Sequence, residues 1–333
     1  MGSCRHRSWS FSRQELFKTC PRAFFYNYLP WGHEFQDVLV FLKNSSTLEQ
    51  MVGTVAHETI AMGLDHYRRS GFAYKDLSKR AVINLGNKLK QSYVGANAVK
   101  QGKRPRTDDP VLLHHLEKGP SQVLENAART ALEKQIKAFH NSSALKFLFK
   151  TERGRWMTID TGGTSLPNVI ASPKLGFPDS VNGLRVYTPY DIAAKHTRFF
   201  TIIDWKTGRK TDAAIQRAKR QTCSYAFKAI DKGYELKNIR VHPFWLIEGE
   251  EWDPQTISQE EMDEVVEDIR IQDEIEKELL VFQTLEDGRQ GYFGNEEDFV
   301  PKPGFACKNC KFKTFCPEGR KVTESALKLC SSR

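Results

Sequence analysis

Phe199-Phe200-Thr201-Ile202-Ile203-Asp204-Trp205-Lys206 is an aromatic and β-branched run that ends in an acid, a tryptophan and a base. That composition predicts a buried strand. On a strand, residues i and i+2 project from one face, so Asp204 and Lys206 point together while Trp205 packs on the other side. A second acid, Asp191, ends the preceding β run, Val186-Tyr187-Thr188-Pro189-Tyr190. Two strands joined by a short turn bring Asp191 and Asp204 side by side at the rim of an apolar sheet. Adjacent carboxylates repel, and each raises the other's pKa unless a cation lies between them. Mg2+ or Mn2+ suits such a pair, taking a few carboxylates and leaving positions for water and phosphate oxygens. A lysine beside that ion can orient or deprotonate a water, or stabilise charge on phosphorus. For an isolated D-x-K tripeptide, a plain surface ion pair between Asp204 and Lys206 is the commoner arrangement.

Outward from this strand, Gly, Pro and Asn-Gly punctuation separates short β runs at Arg155–Asp160 and Leu184–Ala193. Thr211–Ala229 has helical spacing, Arg240–Ile247 reads as a strand, and Ser258–Gln283 as a long acidic helix with a solvated outer face. Upstream, residues 10–29 predict two helices with a corner at Cys20-Pro21, because proline interrupts the pattern. Residues 47–70 read as one helix. A polar, mostly helical stretch follows to about 150, broken by the basic loop Lys100–Pro110 with Lys103, Arg104 and Arg106. The order predicts an α/β protein: a mixed central β-sheet flanked by helices, with a helical insertion and a C-terminal cysteine cluster. One domain over 1–333 is expected: N-terminal helices at 10–60 with Cys20 and His57, an insertion at 61–150, an α/β core at 151–250, and the acidic helix and cysteines at 251–333.

The 333 residues are 39% apolar and 27% charged, an ordinary globular composition rather than a disordered one. No apolar run approaches the length of a membrane span, so no membrane partner is expected. The net charge is +9, yet residues 258–280 alone carry −8, which leaves +17 on the rest. That surplus favours an anionic partner, nucleic acid first. Seven cysteines is an odd count, and no apolar segment follows the first charges as in a secretory signal. The thiols therefore read as metal ligands or buried apolar groups, in a cytoplasmic protein. Arg5, Arg7 and Arg13 with no acid among them faintly suggest a transit peptide, but fold-like sequence from about Ser10 leaves little room for one.

Two further pairs keep company with the acids. His57 follows Gly53 by four residues and shares a helical face with Ile60, Ala61 and Leu64; taken alone, it reads as a core histidine. Gln221 and Tyr225 lie at i, i+4 on one helical face. As an ordered set, Gly53…His57, Asp191, Asp204-x-Lys206 and Gln221…Tyr225 resemble the PD-(D/E)XK nuclease superfamily in its RecB-like branch. The resemblance implies a restriction-endonuclease-like core and phosphodiester hydrolysis. It implies His57, Asp191 and Asp204 as metal ligands with the backbone carbonyl of Trp205, and Lys206 serving the attacking water. Gln221 and Tyr225 would position the phosphate and the strand. Glu58 is turned about 100° around the helix from His57 and stands outside this set.

Cys307-Lys308-Asn309-Cys310 followed by Cys316 gives C-x2-C-x5-C, and three thiolates do not close a tetrahedral or cubane site. Zinc is the better match for a Cys4 set from spacing alone. Cys20 stands in F-K-T-C-P-R-A-F-F-Y, which is similar to the N-terminal cysteine segment of the iron–sulfur RecB-like nucleases, including Cas4, AddB, the Dna2 nuclease domain and exonuclease V. That resemblance implies a structural [4Fe–4S] cluster on Cys20, Cys307, Cys310 and Cys316, with zinc the alternative. Cys223 reads as packing; Cys4 and Cys330 lie near the ends.

Residues 195–220 hold eight bases against Asp204 and Asp212. Arg209 and Lys210, directly after the D-x-K strand, and Arg220 on the next helix are the expected phosphate contacts. The insertion between His57 and Asp191 matches no known segment, but its basic loop could lie over a strand, and relatives use helical insertions as arches that admit single strands; the resemblance thus implies single-stranded DNA as the substrate. No G-x-x-x-x-G-K-[ST] motif occurs, so a separate helicase, or a recombination or CRISPR partner, is expected to supply the strand. The rival reading is a catalytically silent nucleic-acid-binding or scaffold protein with a structural Cys4 metal site.

Overall fold

The computed structural model describes residues 2–4, 7–101, 103, 111–159, 168–248, 251–284, 288 and 290–320. The chain opens with β1 (Gly2–Cys4), β2 (Ser8–Trp9), α1 (Phe11–Thr19), α2 (Pro21–Tyr28), α3 (Gln36–Lys43) and β3 (Ser45–Ser46). Then come α4 (Leu48–Ser70), α5 (Leu77–Lys100), β4 (Val111–Leu112), α6 (Leu113–Glu117), α7 (Gln122–Asn141) and α8 (Ser143–Lys150). The strands β5 (Trp156–Ile159), β6 (Asn168–Ile170), β7 (Arg185–Tyr187), β8 (Ile192–Lys195) and β9 (Phe200–Lys206) follow. Last are α9 (Asp212–Asp231), β10 (Ile239–Trp245), β11 (Gln255–Thr256), α10 (Gln259–Leu279), β12 (Val281–Thr284) and β13 (Gln290–Gly294). Asp160, Arg104, Arg106, Arg5 and Cys330 lie outside the described residues.

Two compact units divide the chain: Leu48–Asn87 with Ser121–Arg270, and Met1–Thr47 with Lys88–Pro120 and Ile271–Arg333. The first is built on a five-stranded sheet in the order β11-β10-β9-β8-β5. β9 pairs parallel with β10 and antiparallel with β8, so the sheet is mixed. A parallel pair needs a crossover, and α9 supplies it. Its start is fixed by Thr211, whose hydroxyl accepts from the Ala214 N–H at 3.2 Å. Its inner face buries Ala218, Cys223, Ala226 and Phe227. Every residue of β9 except Lys206 is buried, as a central strand covered on both faces requires. On the other flank, α4 buries Met51, Val55, Ala56, Ile60 and Leu64 at helical spacing, and α7 packs along it with Leu132, Ile136 and Phe139.

The β run expected over Leu184–Ala193 is two strands. β7 pairs with β6 in a separate small sheet, while β8 joins the main one. Pro189, without an N–H to give a ladder, stands in the break between them. Asp191 therefore immediately precedes β8 instead of ending the run before it.

The second unit has an aromatic core. Phe24, Phe25, Tyr26, Phe299 and Phe312 are all buried, with Leu29, Leu39 and Leu280 around them. The expected corner is present: Cys20 is extended (φ −162°) between α1 and α2, and Pro21 starts α2 at a position where its missing N–H costs nothing. β1, β13 and β12 form an antiparallel sheet.

The early arginines are structural here. Arg13 is buried, makes a two-pronged pair with Glu276 at 3.0 and 2.8 Å, and lies over the rings of Phe24 and Tyr28 at 4.6 and 4.5 Å. Arg7 pairs with Asp273. The acidic helix is consequently not a solvated rod. α10 buries Met262, Val265 and Ile269, and further along Gln272, Asp273 and Glu276, the two acids being held by those arginines. Among the described residues, no helix is long and apolar enough to cross a membrane.

Candidate active site

The C-terminal end of β9 carries the site. The β8–β9 register pairs Ile192 with Ile203, and one residue further along it sets Asp191 opposite Asp204. Asp191 is gripped on both oxygens: Oδ1 lies 2.8 Å from His57 Nδ1, and Oδ2 accepts the Trp205 backbone N–H at 2.5 Å. In an extended strand, a residue's N–H and C=O face the same neighbour, so the Trp205 carbonyl also lies on the Asp191 side. The Trp205 ring points the other way, edge-on to Phe139 (5.3 Å) and Phe244 (5.7 Å).

Asp204 is buried and forms an ion pair with Lys206, Oδ2 to Nζ at 2.5 Å. Lys206 Nζ also donates to Gln221 Oε1 at 2.6 Å, and Gln221 Nε2 donates to the Tyr225 hydroxyl oxygen at 2.6 Å. Asp204, Lys206, Gln221 and Tyr225 thus form one continuous polar chain. Tyr225 is only 2% exposed and holds Gln221 through that bond.

Burial holds the Asp204 carboxyl above the usual carboxylate range; the Asp191 charge adds to that, and Lys206 works against it. Burial alone would push the His57 imidazole down, but Asp191 at hydrogen-bond distance outweighs it and raises the pKa to about 8. These shifts have the causes expected for two acids crowded together with cationic groups beside them.

In front of His57 and Asp191 is a cavity of about 600 Å³, also lined by Glu49, Gly53, Thr54, Glu58 and Thr207. Glu58, which the helical wheel sets aside, therefore shares the space with His57. Gly53 makes a close approach: a Cβ there would lie 3.0 Å from Thr207 Oγ1, and that side chain would have to give by a few tenths of an ångström. Behind the same segment, Gln135 of α7 donates to the Thr207 carbonyl at 3.2 Å. The sequence reading missed Gln135 and Thr207. The available signal was a glutamine on the otherwise apolar stripe Ala128, Leu132, Ile136, Phe139 of α7.

Of the expected phosphate contacts, Arg209 is exposed just past β9, and Lys210 Nζ sits 5.5 Å from the Trp245 ring. Arg220 pairs with Asp268, and its neighbour Lys219 with Glu261, so α10 holds both.

Among the described residues, no three His, Cys, Asp or Glu side chains form a group arranged to hold a metal ion. At the rim of β9 the donors are turned on one another, imidazole to Asp191 and ammonium to Asp204. Their chemistry nevertheless fits a hard divalent cation: Asp191 lines the cavity with His57, and beside it in the register is a second carboxylate, Asp204, buried and reluctant to ionise.

In the second unit, the Cys310 thiol is pushed up to about 11, first by burial and then by Cys20, Cys307 and Cys316, while the Phe312 N–H directed at it works the other way. Cys316 is also raised by burial; the N–H groups of Gly319 and Glu318 favour its thiolate, and its thiol donates to Glu318 at 3.2 Å. Four sulfurs within electrostatic reach, two of them faced by amides, fit a soft metal by donor chemistry. Cys223 is buried on α9, with its pKa pushed up to about 12.

A mixed α/β sheet with two acids, a lysine and an imidazole at one rim defines a protein of the restriction-endonuclease-like class. The PD-(D/E)XK nuclease superfamily matches residues 8–317, and the chain belongs to that superfamily. No curated protein matches the chain.

Proposed function

We propose that the chain is an Mg2+- or Mn2+-dependent deoxyribonuclease acting as an exonuclease on single strands. The observation that supports it most is the polar chain Asp204–Lys206–Gln221–Tyr225 beside the His57–Asp191 contact, whose two residues line a cavity. His57, Asp191, Asp204 and the Trp205 carbonyl would hold the cation. When bound, that cation supplies Lewis-acid polarisation of the phosphodiester and charge neutralisation in the transition state. Lys206 has three N–H bonds; Asp204 and Gln221 take two, which leaves one for a water or a phosphoryl oxygen. Gln221, held by Tyr225, fixes the direction of that ammonium. The His57 ring keeps Nδ1 against Asp191, so Nε2 is its remaining nitrogen for a ligand. Arg209 and Lys210 would meet phosphates just beyond the strand.

The same reading gives Cys20, Cys307, Cys310 and Cys316 a structural [4Fe–4S] cluster that ties the segment after α1 to the C-terminal region. It also gives the enzyme a separate helicase, or a recombination or CRISPR partner, that supplies the single strand.

Wild type, Asp204→Asn and Lys206→Ala, each checked for folding by circular dichroism, are compared on end-labelled single-stranded DNA with Mn2+. Loss of cleavage in both variants is expected. Intact DNA with wild type, or equal cutting by all three, removes the activity. Protein purified without oxygen should be brown with about four irons per chain; a colourless protein with one zinc removes the cluster.

A further inference from the structure

The far end of the sheet from Lys206 carries a second basic and aromatic surface that the proposed site does not use. The β8–β9 hairpin closes there, with Lys195 opposite Phe200 and the His196 N–H donating to the Phe199 carbonyl at 2.8 Å. The His196 and Phe199 rings stack at 4.1 Å, and the Arg240 guanidinium covers the Phe199 ring at 4.8 Å. Phe147 continues the series, 5.5 Å from His196 and stacked on Trp252 at 4.3 Å.

Lys195, Arg198 and Arg240 are exposed, and no ion pair engages any of them among the described residues. The acids near them are committed: Glu152 to Arg155 at 3.0 Å and Glu235 to Lys237 at 2.7 Å. Glu251 and Asp253 flank Trp252, so the cationic part is the hairpin together with Arg240. His196 reports the same field: burial lowers its pKa, and the Arg155 and Arg240 charges lower it further. Arg240 gains a modest cation–π contact from Phe199, and the exposed cations and rings together form one basic, aromatic patch. It suits a partner that offers both phosphates and flat rings, because arginine grips phosphate and bases stack on aromatic side chains whatever their identity.

We propose that Lys195, Arg198 and Arg240, around Phe199 and His196, form a second contact for single-stranded nucleic acid. It lies about 20 Å from the cutting site, the length of β9 at about 3.3 Å per residue. This inference rests on the nuclease reading. It adds that strands long enough to span both places bind more tightly than short ones.

The test uses the full chain without divalent metal. Binding of fluorescent oligothymidylates of about 6 and about 30 nucleotides is titrated at several salt concentrations. The Lys195→Glu/Arg198→Glu/Arg240→Glu variant is compared with wild type, and the milder Arg198→Gln/Arg240→Gln variant guards against a folding defect. Three lost phosphate contacts should lower the slope of log K against log salt by about 2 for the long oligomer, at about 0.7 per contact. Affinity for the short one, and its cleavage with Mn2+, should stay as in wild type. An unchanged long-oligomer slope in the variants, or a wild type with no preference for length, overturns the second contact while leaving the nuclease reading standing. A wild type that binds neither oligomer overturns both.

Discussion

Replacing Gly53 with alanine sets two effects of similar size against each other. Gly53 lies inside α4, where alanine is favoured over glycine by about 1 kcal/mol. The new methyl, however, would sit 3.0 Å from Thr207 Oγ1 and 4.0 Å from Thr207 Cβ, with no other atom within 4 Å apart from its own helix and chain neighbours. Relieving that contact takes a few tenths of an ångström, and overpacking of this kind costs about 1 kcal/mol or more. Gly53→Ala should therefore leave stability nearly unchanged in the wild-type background. In a Thr207→Ala background the obstructing oxygen is gone, and the same substitution should stabilise by about 1 kcal/mol. The coupling between the two positions, about 1 kcal/mol, is read from a double-mutant cycle of urea unfolding curves. Because the Thr207 backbone follows Lys206 directly and is held by Gln135, the single Gly53→Ala variant should also lose several-fold in cleavage rate, reactions of this kind being sensitive to sub-ångström displacement. Equal stabilisation by Gly53→Ala in both backgrounds would refute the close approach and, with it, the reason for a glycine at that position.

Glu276→Ala leaves Arg13 buried without its carboxylate and should cost about 3–5 kcal/mol in urea unfolding; Arg13→Met with Glu276→Leu should recover most of that loss. His115 is held at a pKa of about 4, by burial first and then by His114 and Lys100, and its Nδ1 lies 2.9 Å from the Ser92 hydroxyl, whose oxygen also accepts the Leu112 N–H. The folded state thus keeps His115 neutral between about pH 6.5 and 4, where the unfolded chain binds the proton, so stability should fall as pH drops through that window. Thermal melts of His115→Gln should show a flatter pH profile there; an identical profile would count against this account. Cys223, buried with a pKa near 12, should resist iodoacetamide at pH 8 in the folded protein and react in urea, as followed by intact mass.

β9 was legible because a central strand has to be apolar along its length, so the acid and lysine at its end stand out as charges that the apolar pattern does not explain. The Cys20-Pro21 corner was legible because proline acts through its own covalent geometry. Asp191 was found but misplaced in the strand order, since a run of β-forming residues does not reveal where the chain leaves one sheet for another. The pairing of Lys219 and Arg220 with Glu261 and Asp268 was hidden for a different reason. It depends on which helix α9 meets, and a charge pattern read along one segment carries no information about a partner forty residues away. Gln135 escaped because polar residues on an apolar stripe gain meaning only from the backbone group they reach.

The anchoring of α7 bears on any attempt to alter what this enzyme accepts. Residues 61–150 look from the sequence like one removable arm, yet α7 supports the D-x-K segment from behind through Gln135 and Phe139, and only 88–120 belong to the other unit. A chimera that exchanges the whole arm would discard this pillar of the D-x-K segment. Grafts confined to residues 101–120 leave that pillar standing and give the better starting point for redesign.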